Sequence, residues 1–88
     1  MGNLKWKFYS NRKLNKEELE YFINSLKNGY YNWIKPNMNI YCIIQIFENE
    51  TEITNDYYID GAKLEEIAEQ MENGIFENVL TETDLIKN

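Results

Sequence analysis

The 88-residue sequence contains no histidine and only one cysteine, and these absences exclude several classes of function. Histidine is the usual general base near neutral pH and the commonest protein ligand of transition metals. A single cysteine cannot form an intramolecular disulfide or a cysteine-type zinc site. Cys42 also lies inside the apolar run 40–44, where a thiol usually packs as a small apolar side chain. We therefore expect a protein that is not an enzyme and that holds neither a metal nor another cofactor.

Long apolar runs are lacking as well. No stretch approaches the roughly 20 apolar residues that a transmembrane helix needs. Residues 1–5 contain no apolar segment of the kind found in secretion signals. Residues 48–60 are rich in acidic side chains, but they lack the glycine and the ligand spacing of a calcium-binding loop. The sequence therefore predicts a cytoplasmic protein of a bacterial host cell, without a membrane partner.

Five segments of the chain carry strand or loop signals. Apolar and polar residues alternate over 4–9, which is the period of a strand. Residues 39–47 give the strongest strand signal, and their apolar character on both faces is typical of a central strand. Residues 48–51 are predicted as a hairpin turn and 52–59 as its returning strand. Residues 30–39, which contain the only proline, are predicted as a connecting loop.

Two helices are predicted from their caps and their apolar stripes. Asn15 and Glu18 have the spacing of a capping box, and Gly29 stands where the first helix ends. Asp60 caps a second helix over 61–73. The apolar stripes are Leu19, Phe22, Ile23 and Leu26 in the first helix and Leu64, Ile67, Ala68 and Met71 in the second.

These elements predict a single α+β domain over residues 1–88, with two helices on a small antiparallel sheet. The predicted order is β-α-β-β-α. Residues 75–81 are open between a final short strand and a further helical turn.

Charge is distributed unevenly along the chain. Residues 1–47 hold seven basic and three acidic groups, a balance of +4. Residues 48–88 hold two basic and twelve acidic groups, a balance of −10, so that the net charge is −6. The second half therefore predicts attraction to a basic partner.

The acidic side chains of the second half follow the periods of the predicted elements. Glutamates alternate over 48–52 and would share one face if the hairpin extends through them. On the second helix, glutamates lie opposite the apolar stripe, about 5–6 Å apart along the axis, which is comparable to the spacing of DNA phosphates. Neighbouring tyrosines could anchor a partner. The predicted partner-binding residues are Glu48, Glu50, Glu52, Asp56, Tyr57, Tyr58, Glu65, Glu66, Glu69 and Glu72.

Three alternatives stay open. The acidic face could serve only solubility, as it does in many small proteins. The aromatic segment Tyr30–Trp33 could form the interface of a small homodimeric structural or regulatory domain, or opposite-charged halves of two copies could meet. The basic and aromatic segment Lys5–Lys13 has the composition of a single-strand nucleic-acid binder, but the net charge of −6 opposes binding to phosphate.

In its size, its lack of catalytic residues and its acidic rows Glu48/Glu50/Glu52 and Glu65/Glu66/Glu69/Glu72, the chain resembles the small acidic anti-defence proteins of phages and mobile elements, including anti-CRISPR proteins. Its many asparagines and isoleucines, with few alanines and one arginine, are typical of AT-rich genomes. The resemblance implies a non-enzymatic inhibitor. It would present carboxylates and aromatic rings to the nucleic-acid-binding groove of a host defence or DNA-processing enzyme, and one form of this interpretation is a DNA mimic.

Overall fold

The computed structural model describes residues 2–53 and 56–87 and confirms the predicted α+β class. The strands are β1 (Leu4–Ser10), β2 (Asn32–Lys35), β3 (Ile40–Glu48), β4 (Thr51–Glu52), β5 (Tyr57–Ile59), β6 (Glu77–Leu80) and β7 (Leu85–Lys87). The helices are α1 (Lys16–Lys27) and α2 (Gly61–Glu72). Neither is long enough to cross a membrane, and no other helix of the described residues is both long and apolar enough to do so.

The main sheet has the order β2-β3-β1-β6, and neighbouring strands are antiparallel. The short β4 pairs with the end of β3, on the same side as β2, because β1 occupies the other side of β3 along its length. Helix α1 connects β1 to β2, and α2 precedes β6. This is the connectivity of a split β-α-β-β-α-β arrangement, in which both helices cover one face of the sheet.

The two helices begin and end where their caps predict. The side chain of Asn15 accepts a hydrogen bond from the Glu18 N–H at 2.8 Å, and the Glu18 side chain accepts one from the Asn15 N–H at 2.9 Å. Asp60 caps α2 by accepting from the Ala62 N–H. Gly29, which follows α1, has a φ of 87°, a value that glycine adopts without the steric cost of a Cβ atom. Local sequence therefore defines both helices.

The core lies between the helices and the even-numbered residues of the central strands. The fully buried large side chains are Trp6, Phe22, Leu26, Ile40, Ile44, Ile46 and Ile67. The predicted stripes of both helices take part, with Leu19 and Ala68 at the margin of the core. β3 is a central strand, as its apolar character on both faces predicts.

The predicted loop over 30–39 is wrong in part, because residues 32–35 form the edge strand β2. In this strand Trp33 lies opposite Cys42 of β3. Pro36 follows the strand directly and begins a short 3-10 turn, so the proline ends β2 and does not prevent it.

The predicted returning strand over 52–59 is also wrong as a continuous element. Asn49 and Glu50 form a two-residue turn in which both residues have positive φ, as a type I′ turn requires. Only Thr51–Glu52 then pairs with β3, and residues 54–55 lie outside the described residues. β5 instead pairs with β7 in a separate two-stranded sheet. The open question over 75–81 is answered by β6, which pairs with β1.

Candidate partner-binding surfaces

Two antiparallel helices bring glutamates of both sequence halves onto one surface. We call Glu20, Glu65, Glu66, Glu69 and Glu72 the helical acidic surface; all five are exposed. Lys27, the last residue of α1, lies beside Glu65 in the first turns of α2. Glu20 and Glu72 line the same shallow groove between the helices, which Lys27 also lines. The structure therefore adds Glu20, from the basic half of the sequence, to the predicted row.

Ion pairs within the molecule neutralise part of this surface. Lys27 Nζ lies 2.8 Å from Glu65 Oε1, and this hydrogen bond lowers the pKa of Glu65. Lys63 Nζ lies 3.2 Å from Glu66 Oε2. Glu20, Glu69 and Glu72 make no ion pair with any residue of the described ranges. These three carboxylates are therefore the ones available to an external cation.

The predicted shared face of the glutamates in 48–52 is wrong. In the two-residue turn, Glu48 pairs with Thr51 and Phe47 pairs with Glu52. Side chains of paired residues lie on the same face of a sheet, so Glu48 and Glu52 project to opposite faces. Glu50 is exposed in the turn itself. The Glu52 carboxylate accepts a hydrogen bond from Gln45 Nε2 at 2.8 Å.

Three of the predicted residues meet at a cavity beside the main sheet. Glu52, Tyr57 and Tyr58 line a cavity of about 690 Å³, between the end of α1 and the ribbon of β5 and β7. Tyr57 is half-buried and Tyr58 is exposed, because consecutive strand residues face opposite sides. Asp56 is exposed just before β5. The glutamates of α2 lie outside this cavity, so the predicted residues form two separate groups.

The aromatic segment Tyr30–Trp33 does not form one exposed patch. The Tyr31 hydroxyl accepts a hydrogen bond from the Ile59 N–H, and burial raises the pKa of Tyr31. Trp33 is half-buried, with its ring 6.3 Å from that of Tyr21. Only Tyr30 is well exposed, at 68%. This segment therefore offers a single free ring to a second copy.

On β1, Trp6 and Phe8 lie on one face, and Lys5, Lys7 and Tyr9 lie on the other. Trp6 is fully buried under the helices, and Phe8 packs against Phe22 with 5.3 Å between ring centroids. These two rings cannot stack on bases. Lys5 and Lys7 share the opposite face with Tyr9, where Lys7 Nζ lies 5.8 Å from the ring centroid of Phe47.

Arg12 forms an ion pair with Glu18 inside the molecule. Its guanidinium forms two hydrogen bonds with the Glu18 carboxylate, at 2.6 and 3.0 Å, and donates to the carbonyl oxygens of Met38 and Asn39. The hydrogen bond from Arg12, together with that from the Asn15 N–H, lowers the pKa of Glu18 to about 2. These contacts of Arg12 connect the start of α1 to the turn between β2 and β3.

Sequence reasoning missed the surface on the other side of the sheet. We call it the open sheet face. Its residues are Asn32 and Ile34 of β2, Lys5, Lys7 and Tyr9 of β1, Tyr41, Ile43, Gln45 and Phe47 of β3, Glu52 of β4, and Glu77 and Val79 of β6. The helices pack on the opposite face, although Ile43 and Glu52 also line the cavity beside the end of α1. The apolar odd positions of β3 were a visible signal, but they did not say whether anything would cover them.

The lone cysteine lies in the core. Burial raises the pKa of the Cys42 thiol to about 11, so the thiol is protonated at neutral pH, and its Sγ lies 3.7 Å from the Trp33 carbonyl oxygen. Within residues 2–53 and 56–87, no group of three or more cysteine, aspartate or glutamate side chains is placed to hold a metal ion.

No family model and no curated protein matches the sequence, and the search of solved structures found no match. The function is therefore inferred from the surfaces of this chain.

Proposed function

We propose that this chain is a non-enzymatic binding protein whose helical acidic surface docks on a basic surface of another protein. The observation that carries the proposal is the set of three carboxylates, those of Glu20, Glu69 and Glu72, that the helix pair presents without an ion pair among the described residues. They stand on two capped helices packed on the core, so little backbone order has to be gained when a partner binds.

The electrostatics of the surface favour a cationic groove as the partner. Carboxylates at i and i+3 on α2, with one from α1 across the groove, make a local negative field that steers a basic partner. Like charges at this spacing do not stabilise a helix. A groove that binds nucleic acid has the complementary charge. We therefore infer an inhibitor of a bacterial nucleic-acid-binding enzyme, acting in the cytoplasm in the manner of anti-defence proteins.

Charge reversal on α2 tests this proposal. We expect Glu69→Lys/Glu72→Lys to lose binding to a basic DNA-processing protein recovered with the wild-type chain from a bacterial lysate and then purified. Duplex DNA should compete with the wild-type chain for that protein. Wild-type binding should weaken at least tenfold between low and physiological salt, because several charge pairs are screened.

The matched control is Glu50→Lys/Glu82→Lys, which makes the same change in net charge at exposed positions outside both helices. It should keep most of the affinity. Equal loss in both variants would mean that only net charge matters, and unchanged binding of the α2 variant would refute the helical site.

A further inference from the structure

We propose that the open sheet face is a self-association surface, on which a second copy of the chain packs sheet against sheet. Four of its apolar residues are well exposed: Tyr9 at 49%, Tyr41 at 47%, Ile34 at 54% and Val79 at 70%. Half-buried Ile43 and Phe47 lie between them on the central strand. Tyr9, Ile43, Tyr41 and Ile34 are neighbours at one end of the face, and exposed apolar surface of this kind is typical of an interaction site on a soluble protein. This inference does not depend on the proposed function.

The charges of the face favour a second copy over other occupants. Two lysines, Lys5 and Lys7, are balanced by two carboxylates, those of Glu52 and Glu77, although the whole chain has a net charge of −6. Lys7 Nζ lies 3.7 Å from Glu77 Oε2. Two copies can therefore approach through this face without a net local repulsion. Their helical acidic surfaces would point outward, on opposite sides of the dimer.

The register of the sheet makes the face complementary to itself. A two-fold axis along the strands, between β1 and β3, places β1 of one copy over β3 of the other. Because Lys5 pairs with Phe47 and Tyr9 with Ile43 within each chain, the axis sets Lys5 against Phe47 of the second copy and Tyr9 against Ile43 of the second copy. Lys7 meets Gln45 in the same way. The two copies of Lys7 lie on either side of the axis, and each is beside the Glu77 carboxylate of its own chain.

The size of the face sets the expected strength. Four strands about 4.8 Å apart and seven residues of about 3.3 Å give a face of roughly 19 by 23 Å. The face therefore covers about 440 Å², which is smaller than the roughly 800 Å² that each partner contributes to a standard interface. We therefore expect a weak dimer with a dissociation constant of the order of 50 µM. Since the contact is mainly apolar, it should persist at high salt, unlike binding through the helical acidic surface.

Sedimentation velocity from about 5 to about 500 µM tests the proposal, because this range spans a micromolar dissociation constant. The wild-type chain should change from monomer to dimer. Tyr9→Lys/Tyr41→Lys should stay monomeric throughout, and Tyr9→Phe/Tyr41→Phe, which keeps the rings, should still dimerise. The matched control is Tyr21→Lys/Tyr30→Lys, which makes the same two changes at exposed tyrosines away from the face and should dimerise like the wild type.

Circular dichroism shows whether each variant is folded. If Tyr9→Lys/Tyr41→Lys does not fold, Lys5→Glu replaces it, and this variant should weaken the dimer about tenfold by removing a cation–ring contact. A wild-type chain that is monomeric at the highest concentration overturns the proposal. The proposal is also overturned if the Tyr21→Lys/Tyr30→Lys control loses the dimer as fully as Tyr9→Lys/Tyr41→Lys does. It is overturned as well if Tyr9→Lys/Tyr41→Lys still dimerises. A monomer that binds oligothymidylate through these tyrosines would assign the face to single-stranded nucleic acid instead.

Discussion

The two faces of the main sheet are built from the same strands, yet one forms the core and the other meets solvent. On β3, Ile44 is fully buried under the helices, while its neighbour Ile43 is half-exposed on the open sheet face. The helices that cover one face expose glutamates to solvent, whereas the exposed apolar side chains of the open sheet face include tyrosines and an isoleucine. A strand that is apolar on both faces therefore shows that it is central, but not that both of its faces are covered.

The largest expected effect is the difference in the free energy of unfolding between alanine variants of these two isoleucines. We expect Ile44→Ala to lower the free energy of unfolding by about 3–4 kcal/mol, because it leaves a cavity in the core. Ile43→Ala should cost about 1 kcal/mol, since it removes only partly buried surface. Both changes lose the same β-branched side chain, so the strand preference cancels. Urea denaturation at about 5 µM, below the expected dimer range, measures both. Equal losses would mean that the open sheet face is covered in solution.

The second prediction concerns the ion pair between Arg12 and Glu18 at the start of α1. The pKa of Glu18 in the folded chain is about 2, against an ordinary value of 4.5. Because the folded pKa is depressed, the stabilisation is complete above pH 4.5 and is lost as the pH falls toward 2. Thermal unfolding across this range should show a smaller pH dependence for Glu18→Gln than for the wild type. Parallel curves for the two proteins would show that the Arg12 pair does not stabilise the fold.

The smallest predicted effect compares two glutamines, one on each side of the sheet. The Gln70 Oε1 atom of α2 is buried and accepts no hydrogen bond from the described residues, as the buried Trp6 Nε1 donates none to them. We expect Gln70→Met to raise the free energy of unfolding by about 1 kcal/mol, because an unpaired buried polar atom is removed. Gln45→Met, which loses the bond to Glu52 on the open sheet face, should be neutral or mildly destabilising. A destabilised Gln70→Met would instead indicate a bound water at this site.

Local signals predicted the helices and the central strands correctly. The capping box at Asn15 and Glu18 and the glycine after each helix depend on residues close together in the sequence, and so do the periods of the apolar stripes. The fold class followed from the order of these elements.

The remaining features depend on residues far apart in sequence. β2 becomes a strand because β3 pairs with it, although its own residues resemble a loop. Lys27 neutralises Glu65 from 38 residues away, which no helix pattern in α2 can indicate. The opposite placement of Glu48 and Glu52 depends on a turn of two residues, since one residue more or fewer would reverse it.

The turn at Asn49 and Glu50 carries a conformational cost that a glycine would avoid. Glutamate is a poor choice for a φ of 70°, which costs roughly 1–2 kcal/mol for a residue with a Cβ atom, whereas asparagine tolerates its φ of 49°. A glycine in place of Glu50 would relieve that cost and yield a more heat-resistant chain. The native residue instead keeps an exposed carboxylate in the two-residue turn between β3 and β4, at a cost in stability. Selection for stability alone would have removed it.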